Sequence, residues 1–251
     1  MQPKVGLQLY TVRDLLQKDF AGTLGAVANV GYPSVQLAGY GGLSAGELKK
    51  LLGDLGLEVA GSHVGYENLE AGGDYEITYC LEAGTRDVIV PAMPAAWRDN
   101  EDGYRKLADG LNRIGSRCQA LGARLSYHNH GFEFASFNGQ RGIDILLGRC
   151  APDLVAFEPD VYWIKVGGAD PVEYIKKYSG RTPLIHLKDM TAGPTPTYAE
   201  VGEGIIDFKP IFAASEASGA EYYVVEQDFC ARPALESARV SLAHLKAWGK
   251  V

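Results

Sequence analysis

Two closely spaced histidines are the first sign of chemistry in this chain. The stretch RLSYHNHGFEF at residues 124–134 alternates like a strand and places His128 and His130 two positions apart. Side chains two apart on a strand project from the same face. Because the chain has only five histidines, this spacing indicates a metal site, a general acid or base, or a pocket that binds a polyol.

Further charged and imidazole side chains stand at the ends of other apolar stretches. They are His63, Glu133, Glu158, Asp160, His186, Lys188, Glu226 and Asp228. Carboxylates are uncommon in strands and are costly to bury without a partner, so a shared cation would compensate them. Carboxylates with one or two imidazoles and no thiolate suit Mn²⁺, Mg²⁺, Co²⁺ or Zn²⁺ in an open catalytic site. We therefore expect a divalent metal cofactor, with Mn²⁺ as the first candidate.

Such an ion suggests a particular class of reaction. A hard divalent cation can hold a carbonyl and an adjacent hydroxyl together, and it can stabilise the enediolate formed when the carbon between them loses a proton. The substrate would then be a small polyhydroxylated carbonyl compound. We expect a small-molecule carbohydrate as the partner of this site.

The elements that must position these residues alternate regularly along the chain. The predicted strands are residues 5–10, 34–39, 57–64, 87–92, 124–130, 154–163, 182–190 and 222–229. Helical patterns lie between them, and the strands start about every 30 residues, the length of one βα unit. This order predicts an α/β fold, a single (β/α)₈ TIM barrel over residues 1–251, whose strand ends meet at one mouth. A doubly wound open sheet is the alternative, but no GxGxxG motif follows the first strand.

Composition argues against several classes of function. The 251 residues carry a net charge of −7, which disfavours broad binding to nucleic acids or anionic membranes. No apolar run approaches the roughly 18 residues of a transmembrane helix. The four cysteines have no CxxC spacing, and the N-terminal residues lack the pattern of a signal peptide. We expect a cytoplasmic protein with reduced thiols, without nucleic-acid or membrane partners, and the sequence leaves homo-oligomerisation open.

Seven ordered motifs across nearly the whole chain carry a resemblance to a known family. They are VGLQLYTVRDLL, GYPSVQLAGYGG, YHNHGFEF, EPDVYW, HLKDM, VGEGIIDF and VVEQD. With these motifs the chain resembles the xylose-isomerase-like TIM-barrel superfamily of sugar and sugar-phosphate isomerases and epimerases. The superfamily also includes inosose dehydratases, enzymes that process 3-keto-glycosides, and an endonuclease branch.

The resemblance implies a metal site made of Glu, Asp, His and Glu. Asp160, His186 and Glu226 match the last three ligands. The first ligand departs from the family pattern, because His128 stands where many relatives have glutamate. We expect Glu133 to fold back over the mouth and bind the metal ahead of His128, with Gly131 permitting the turn. Gln36 is a second departure, at a position where relatives often have glutamate.

The remaining candidates are assigned to catalysis or to substrate binding. The expected catalytic residues are Glu226, His130, His128 and Lys188, and the expected substrate-binding residues are His63, Tyr10, Glu158, Trp163 and Asp228. Tyr162 and Trp163, taken as neighbours on a strand, should point to opposite faces. The loop VGEGIID at 201–207 has the glycines of a phosphate loop, but Glu203 would repel a phosphate, so we expect a neutral sugar, keto-sugar or cyclitol in preference to a sugar phosphate.

We expect a metal-dependent isomerase or epimerase acting on a sugar, keto-sugar or sugar phosphate. Gln36 cannot take up a proton, which weakens a two-base epimerase and leaves a dehydratase or lyase acting on a cyclitol or 3-keto-glycoside as the alternative. A non-catalytic barrel that binds sugars is a further alternative. The net charge of −7 and the small number of histidines count against a nuclease.

Overall fold

Eight parallel strands form the centre of the structure, a computed structural model that describes residues 2–71 and 73–251. These strands are β1 (Lys4–Gln8), β2 (Ser34–Leu37), β3 (Glu58–His63), β4 (Asp87–Val90), β5 (Arg124–His128), β8 (Val155–Glu158), β9 (Leu184–Leu187) and β12 (Tyr222–Val225). Two small antiparallel pairs lie outside this sheet, β6 (Ser136–Phe137) with β7 (Gln140–Arg141) and β10 (Asp189–Met190) with β11 (Tyr198–Ala199).

The sheet is an almost closed barrel. Its strand order is β8-β5-β4-β3-β2-β1-β12-β9, and the gap between β8 and β9 is bridged by a parallel pairing of Asp160 with His186. The backbone N–H of His186 donates to the carbonyl of Pro159 at 2.9 Å across this gap. The predicted α/β TIM barrel is confirmed, and each of the eight predicted strands overlaps one strand of the barrel.

Helices surround the barrel and follow its strands. They are α1 (Arg13–Leu16), α2 (Phe20–Val30), α3 (Ala45–Asp54), α4 (Tyr66–Ala71), α5 (Tyr75–Ala83), α6 (Glu101–Leu121), α7 (Gly142–Arg149), α8 (Val161–Val166), α9 (Pro171–Lys177), α10 (Phe208–Ala217) and α11 (Ala234–Ala247). Short 3₁₀ turns occupy Leu9–Val12, Ala95–Trp97 and Phe132–Phe134. Among the described helices, none combines the length and the apolar character needed to cross a membrane.

The predicted strand over 154–163 was too long, because a helix begins inside it. Strand β8 ends at Glu158, and Asp160 is the N-cap of α8, with its Oδ1 accepting the Trp163 N–H at 3.0 Å. Tyr162 and Trp163 therefore lie on a helix, and the expectation that they alternate across a strand was wrong. The turn between strand and helix brings Asp160 to the edge of the barrel mouth.

Small residues fill the middle of the barrel. A Cβ added to Gly6 would lie 2.8 Å from Ser34 Oγ and 3.6 Å from Ala60 Cβ, so the neighbouring strands β2 and β3 leave no room for a larger residue there. Ala60 also packs with Leu184 and Val224 in a separate buried cluster. Since side chains alternate along a strand, the residues two positions further along β1, β9 and β12 point into the same interior at the mouth. This apolar layer is the floor under the polar site.

Candidate functional site

His186, on β9, lies at the centre of a buried polar network. Its Nδ1 is 3.0 Å from Glu226 Oε2, and its Nε2 is 2.7 Å from Gln36 Oε1 and 3.2 Å from Glu158 Oε2. Burial alone would lower the pKa of His186, but the carboxylates of Glu158 and Glu226 outweigh burial and raise this pKa to about 10. The imidazole is thus held between two anionic side chains.

Glu158, at the end of β8, contacts the imidazole rings of three histidines. Its Oε2 is 2.9 Å from His63 Nε2, 3.1 Å from His128 Nδ1 and 3.2 Å from His186 Nε2. Burial would raise the pKa of Glu158, but the charge of His186 and the hydrogen bonds from all three histidines hold it well below the usual range. Glu158 is therefore an ionised carboxylate that orients the rings around it.

Gln36, on β2, connects this network to Gln8 on the neighbouring strand β1 through hydrogen bonds. Its Nε2 donates to Glu158 Oε1 at 2.6 Å, while its Oε1 accepts from Gln8 Nε2 at 2.6 Å. Gln8 in turn accepts the backbone N–H of Tyr10 at 3.1 Å. Both Gln8 and Gln36 are fully buried. The amide at position 36 donates and accepts hydrogen bonds in the middle of the network, and it cannot act as a general acid or base.

Two groups of side chains have the spacing of metal ligands. One consists of His128, Asp160, His186 and Glu226, and the other of His63, His128, Glu158 and His186; in each, one ligand atom per residue lies within 4.8 Å of all the others. The first group could hold a divalent ion, because its two imidazoles and two carboxylates are a common donor set for Mn²⁺, Co²⁺ or Zn²⁺.

Asp160 provides the observation that tests this fit. Its Oδ2 is buried and has no hydrogen-bond partner, although Lys188 Nζ lies 3.1 Å away. Burial raises the pKa of Asp160 to about 6 against the opposing charge of Lys188. An anionic oxygen without a hydrogen-bond donor is unfavourable in the interior, and a coordinated cation would satisfy it.

Lys188 places a positively charged ammonium group next to Asp160. Its Nζ lies 2.8 Å from Glu226 Oε2 and 3.0 and 3.2 Å from the two oxygens of Asp228. Burial opposes its charge, but Asp160, Glu226 and Asp228 together hold the pKa of Lys188 well above its ordinary value. Lys188 is therefore a fixed ammonium beside two of the candidate metal ligands.

Glu133, the residue expected to be the first ligand, lies elsewhere. Its Oε1 accepts the Tyr127 hydroxyl at 2.6 Å, and its Oε2 accepts the His130 backbone N–H at 2.8 Å. Tyr127 and His128 are neighbours on β5 and point to opposite faces. Glu133 lies on the same side of β5 as Tyr127 and belongs to neither metal-ligand group. The structure brings His128, and not Glu133, together with Asp160, His186 and Glu226.

A cavity of about 560 Å³ opens above this network. Its lining consists of Tyr10, Ala38, His63, Pro91, His128, His130, Trp163, Lys188, Tyr198, Glu226, Asp228 and Phe229. Eight of the sequence candidates thus face one pocket, while Glu158, Asp160 and His186 lie in the adjoining network and Glu133 lies apart. Tyr198 and Phe229 were missed. Phe229 is the last residue of a predicted strand, whereas Tyr198 lies on the small β10–β11 pair and has no signal in the sequence.

His130 is held rigidly over the cavity by aromatic rings. Its ring stacks on Phe132, with centroids 5.6 Å apart and planes at 12°, and its centroid is 5.4 Å from that of Trp163. Its Nδ1 is buried and has no hydrogen-bond partner. Burial lowers the pKa of His130 to about 3, so this ring is neutral at physiological pH and can accept a hydrogen bond or a proton.

Backbone N–H groups of the glycine-rich loop at 201–207 are hydrogen-bonded to a carboxylate of the protein itself, that of Asp189. Asp189 Oδ1 accepts the N–H groups of Met190 and Ile206 at 2.8 and 3.0 Å, and its Oδ2 accepts those of Gly202 and Gly204 at 3.0 Å. Asp189 is almost fully buried. The amides that would cradle a phosphate in a barrel of this type are therefore already occupied by an anion.

Residues 24–248 match the family described as Xylose isomerase-like TIM barrel. This match covers most of the chain. With eight parallel strands and a polar network at the carboxyl ends of the strands, the chain belongs to the xylose isomerase-like TIM-barrel family.

Several individual proteins of known structure or curated function are similar to the chain. Inosose dehydratase of Lacticaseibacillus casei is 30% identical over 147 residues, which are 51% of this chain and 49% of that protein. The chain thus spans about half the length of the curated relatives it matches. A sugar phosphate isomerase/epimerase from Parabacteroides distasonis has a TM-score of 0.84 and 28% identity, covering 100% of this chain and 96% of that one. The IOLI protein, whose crystal structure contains a zinc atom, has a TM-score of 0.70 at 16% identity, with 98% of each chain covered.

Proposed function

We propose that this protein is a divalent-metal-dependent lyase that removes the proton next to the carbonyl of a small, uncharged keto-polyol and then expels water. The observation that carries this proposal is the buried group of His128, Asp160, His186 and Glu226 beside a cavity lined by further acid–base side chains. Curated relatives named inosose dehydratases support a keto-cyclitol as the substrate.

The metal would be held by His128, Asp160, His186 and Glu226, with His128 in the place we first assigned to Glu133. When bound, a divalent ion supplies Lewis-acid polarisation of the carbonyl and an adjacent hydroxyl. The donor set of two imidazoles and two carboxylates keeps Mn²⁺ as the first candidate and admits Co²⁺ and Zn²⁺.

The side chains around the cavity have distinct proposed roles. Lys188, a buried ammonium, stabilises negative charge that develops on the carbonyl oxygen. His130, which is neutral, accepts the proton from carbon. His63 is oriented by Glu158 through its Nε2 at 2.9 Å, and this carboxylate can balance the charge of an imidazolium that gives a proton to the departing hydroxyl.

An uncharged substrate is supported by the mouth itself, where the residues that the structure describes leave no free phosphate site. Lys188 is surrounded by Asp160, Glu226 and Asp228 within 3.2 Å. The loop amides that could bind a phosphate donate to Asp189. A phosphate would also bring two negative charges close to these carboxylates, which is unfavourable.

Isomerisation or epimerisation of the same kind of substrate is the second candidate. It is supported by the presence of two separate imidazoles, His63 and His130, in one cavity, and the neighbour from Parabacteroides distasonis is described as an isomerase/epimerase. Gln36 counts against it, because its amide is fixed by Gln8, Glu158 and His186.

The experiment is a turnover assay with inosose on protein stripped with EDTA and reloaded with Mn²⁺. Elimination of water gives a conjugated product that absorbs in the near ultraviolet, and NMR identifies an isomer if one forms instead. Asp160→Ala should lose metal and turnover together, whereas Tyr75→Ala, a change at an exposed residue of α5, should keep both. Full metal occupancy in Asp160→Ala would contradict the assigned site, and an isomer as the product would favour the second candidate.

A further inference from the structure

Aromatic side chains form a continuous wall from the floor of the cavity to the protein surface. Lys188 Nζ lies 5.9 Å from the ring centroid of Trp163, and Trp163 lies 6.2 Å from Tyr198. Tyr198 in turn lies 6.1 Å from Phe229, whose side chain is 71% exposed. All four residues line the same cavity. The wall therefore joins the charged floor to an exposed aromatic rim.

The rim is stiffened by an arginine that contacts two of its rings. The guanidinium of Arg13 lies 4.2 Å from the Tyr10 ring centroid and 5.5 Å from that of Phe229. Arg13 also donates to the Tyr10 carbonyl at 2.9 Å. Tyr10 is 44% exposed. Two rings that remain exposed, although Arg13 holds them in place, provide a preformed apolar surface that packing within the chain does not require.

A single sugar ring cannot use the whole wall. A flat ring packs on one aromatic face with a centroid separation of about 4.5–7 Å. A ring over Trp163, within reach of Lys188, covers the inner end of the wall and leaves Phe229 and Tyr10 in water. The cavity of about 560 Å³ also lies within the range of roughly 300–1,000 Å³ that is typical of pockets for drug-sized ligands.

We infer that the substrate carries a second ring, attached to the reacting one and packed against Phe229 and Tyr10 at the rim. This inference rests on the proposed function, because the reacting ring is placed at the metal-ligand group. The rim offers two aromatic faces, which suit an apolar face of a second sugar or of an aromatic substituent. The substrate class is then a glycoside or a similarly extended keto-polyol.

The test compares two probes that share one sugar ring, methyl β-D-glucopyranoside and phenyl β-D-glucopyranoside. Their affinities for the Mn²⁺-loaded protein are measured by calorimetry. The phenyl compound should bind about threefold to tenfold more tightly, the gain expected for one aromatic stacking contact. Phe229→Ala should bring the ratio of the two affinities close to one, and Tyr75→Ala, which removes a similarly exposed ring that does not line the cavity, should leave the ratio unchanged.

Three binding results would overturn the inference. They are equal affinities for the two probes in the unmodified protein, an unchanged ratio in Phe229→Ala, and binding of neither probe by a protein that turns over inosose. A smaller assembly of Phe229→Ala in light scattering would also overturn it, because the rim would then be covered by a second copy of the chain. The inosose assay is independent of these measurements, so the proposed function can hold while this inference fails.

Discussion

Replacing Asp189 with alanine should destabilise the protein strongly and create an empty anion site. The carboxylate accepts four backbone N–H groups, those of Met190, Gly202, Gly204 and Ile206. Met190 and Ile206 are buried, whereas the two glycines are partly exposed and can bind water. Two donors are thus left without partners, at about 1–3 kcal/mol each, so the free energy of unfolding should fall by about 4 kcal/mol.

The change should be measured by urea unfolding and by thermal denaturation. For a chain of this size the loss corresponds to a fall in Tm of about 8–16 °C. The matched control is Asp54→Ala, which removes an exposed aspartate paired with Lys50 on α3 and should change the stability by less than about 0.5 kcal/mol.

A small anion should restore part of what Asp189→Ala loses. Formate has the size and charge of the missing carboxylate and can accept the same N–H groups. Formate should therefore raise the Tm of Asp189→Ala more than chloride does at equal ionic strength, and it should not do so for the unmodified protein. A loss of less than about 1 kcal/mol, or an equal response of both proteins to formate, would refute the assignment of these amides to Asp189.

Two further predictions concern His128, the last residue of β5, and Glu133 in the turn after it. His128→Ala should weaken Mn²⁺ binding by at least about tenfold, as measured by competition with a chromogenic chelator, whereas Glu133→Gln should change it by less than about threefold; equal losses would contradict the ligand set. Burial raises the pKa of Glu133 from 4.5 to about 7, so the folded protein binds the extra proton and loses about 3 kcal/mol of stability as the pH rises between these values. Urea unfolding at pH 5 and pH 7.5 should show this loss, Glu133→Gln should remove it, and an unchanged pH dependence in that variant would show that Glu133 is not its source.

The barrel could be predicted because its signals are periodic and local. Short apolar strands recur with one helix between them, and only a parallel barrel uses eight such units in this order. The convergence of His63, His128 and His186 at one mouth then follows from strand direction alone. The end of β8 was misplaced because apolar residues continue through VYWI into α8. The signal that should have ended the strand is the pair Pro159 and Asp160, since proline interrupts a strand and aspartate caps a helix.

The position of Glu133 could not be predicted from spacing. A turn after His130 allows the chain to return on either side of β5, and the sequence does not show which side is taken. The Tyr127 hydroxyl decides it, because Tyr127 points away from the barrel interior and donates to Glu133 at 2.6 Å. Such a contact depends on side-chain direction after an irregular turn, which no periodic pattern encodes.

Glu158 offers one physical reason why residues 36 and 128 are not the glutamates that the family resemblance led us to expect. A glutamate at position 36 would place its carboxylate where Gln36 Nε2 now donates to Glu158 at 2.6 Å. A glutamate at position 128 would replace the imidazole that lies 3.1 Å from the same carboxylate. Two buried carboxylates at such distances repel one another, and at least one of them must take up a proton. With Glu158 supplying the negative charge, its neighbours must be donors, and an amide and an imidazole meet that requirement. The consequence of this arrangement is that strand β2 has no carboxylate to act as a base, which is why the proposed function assigns the acid–base chemistry to the histidines.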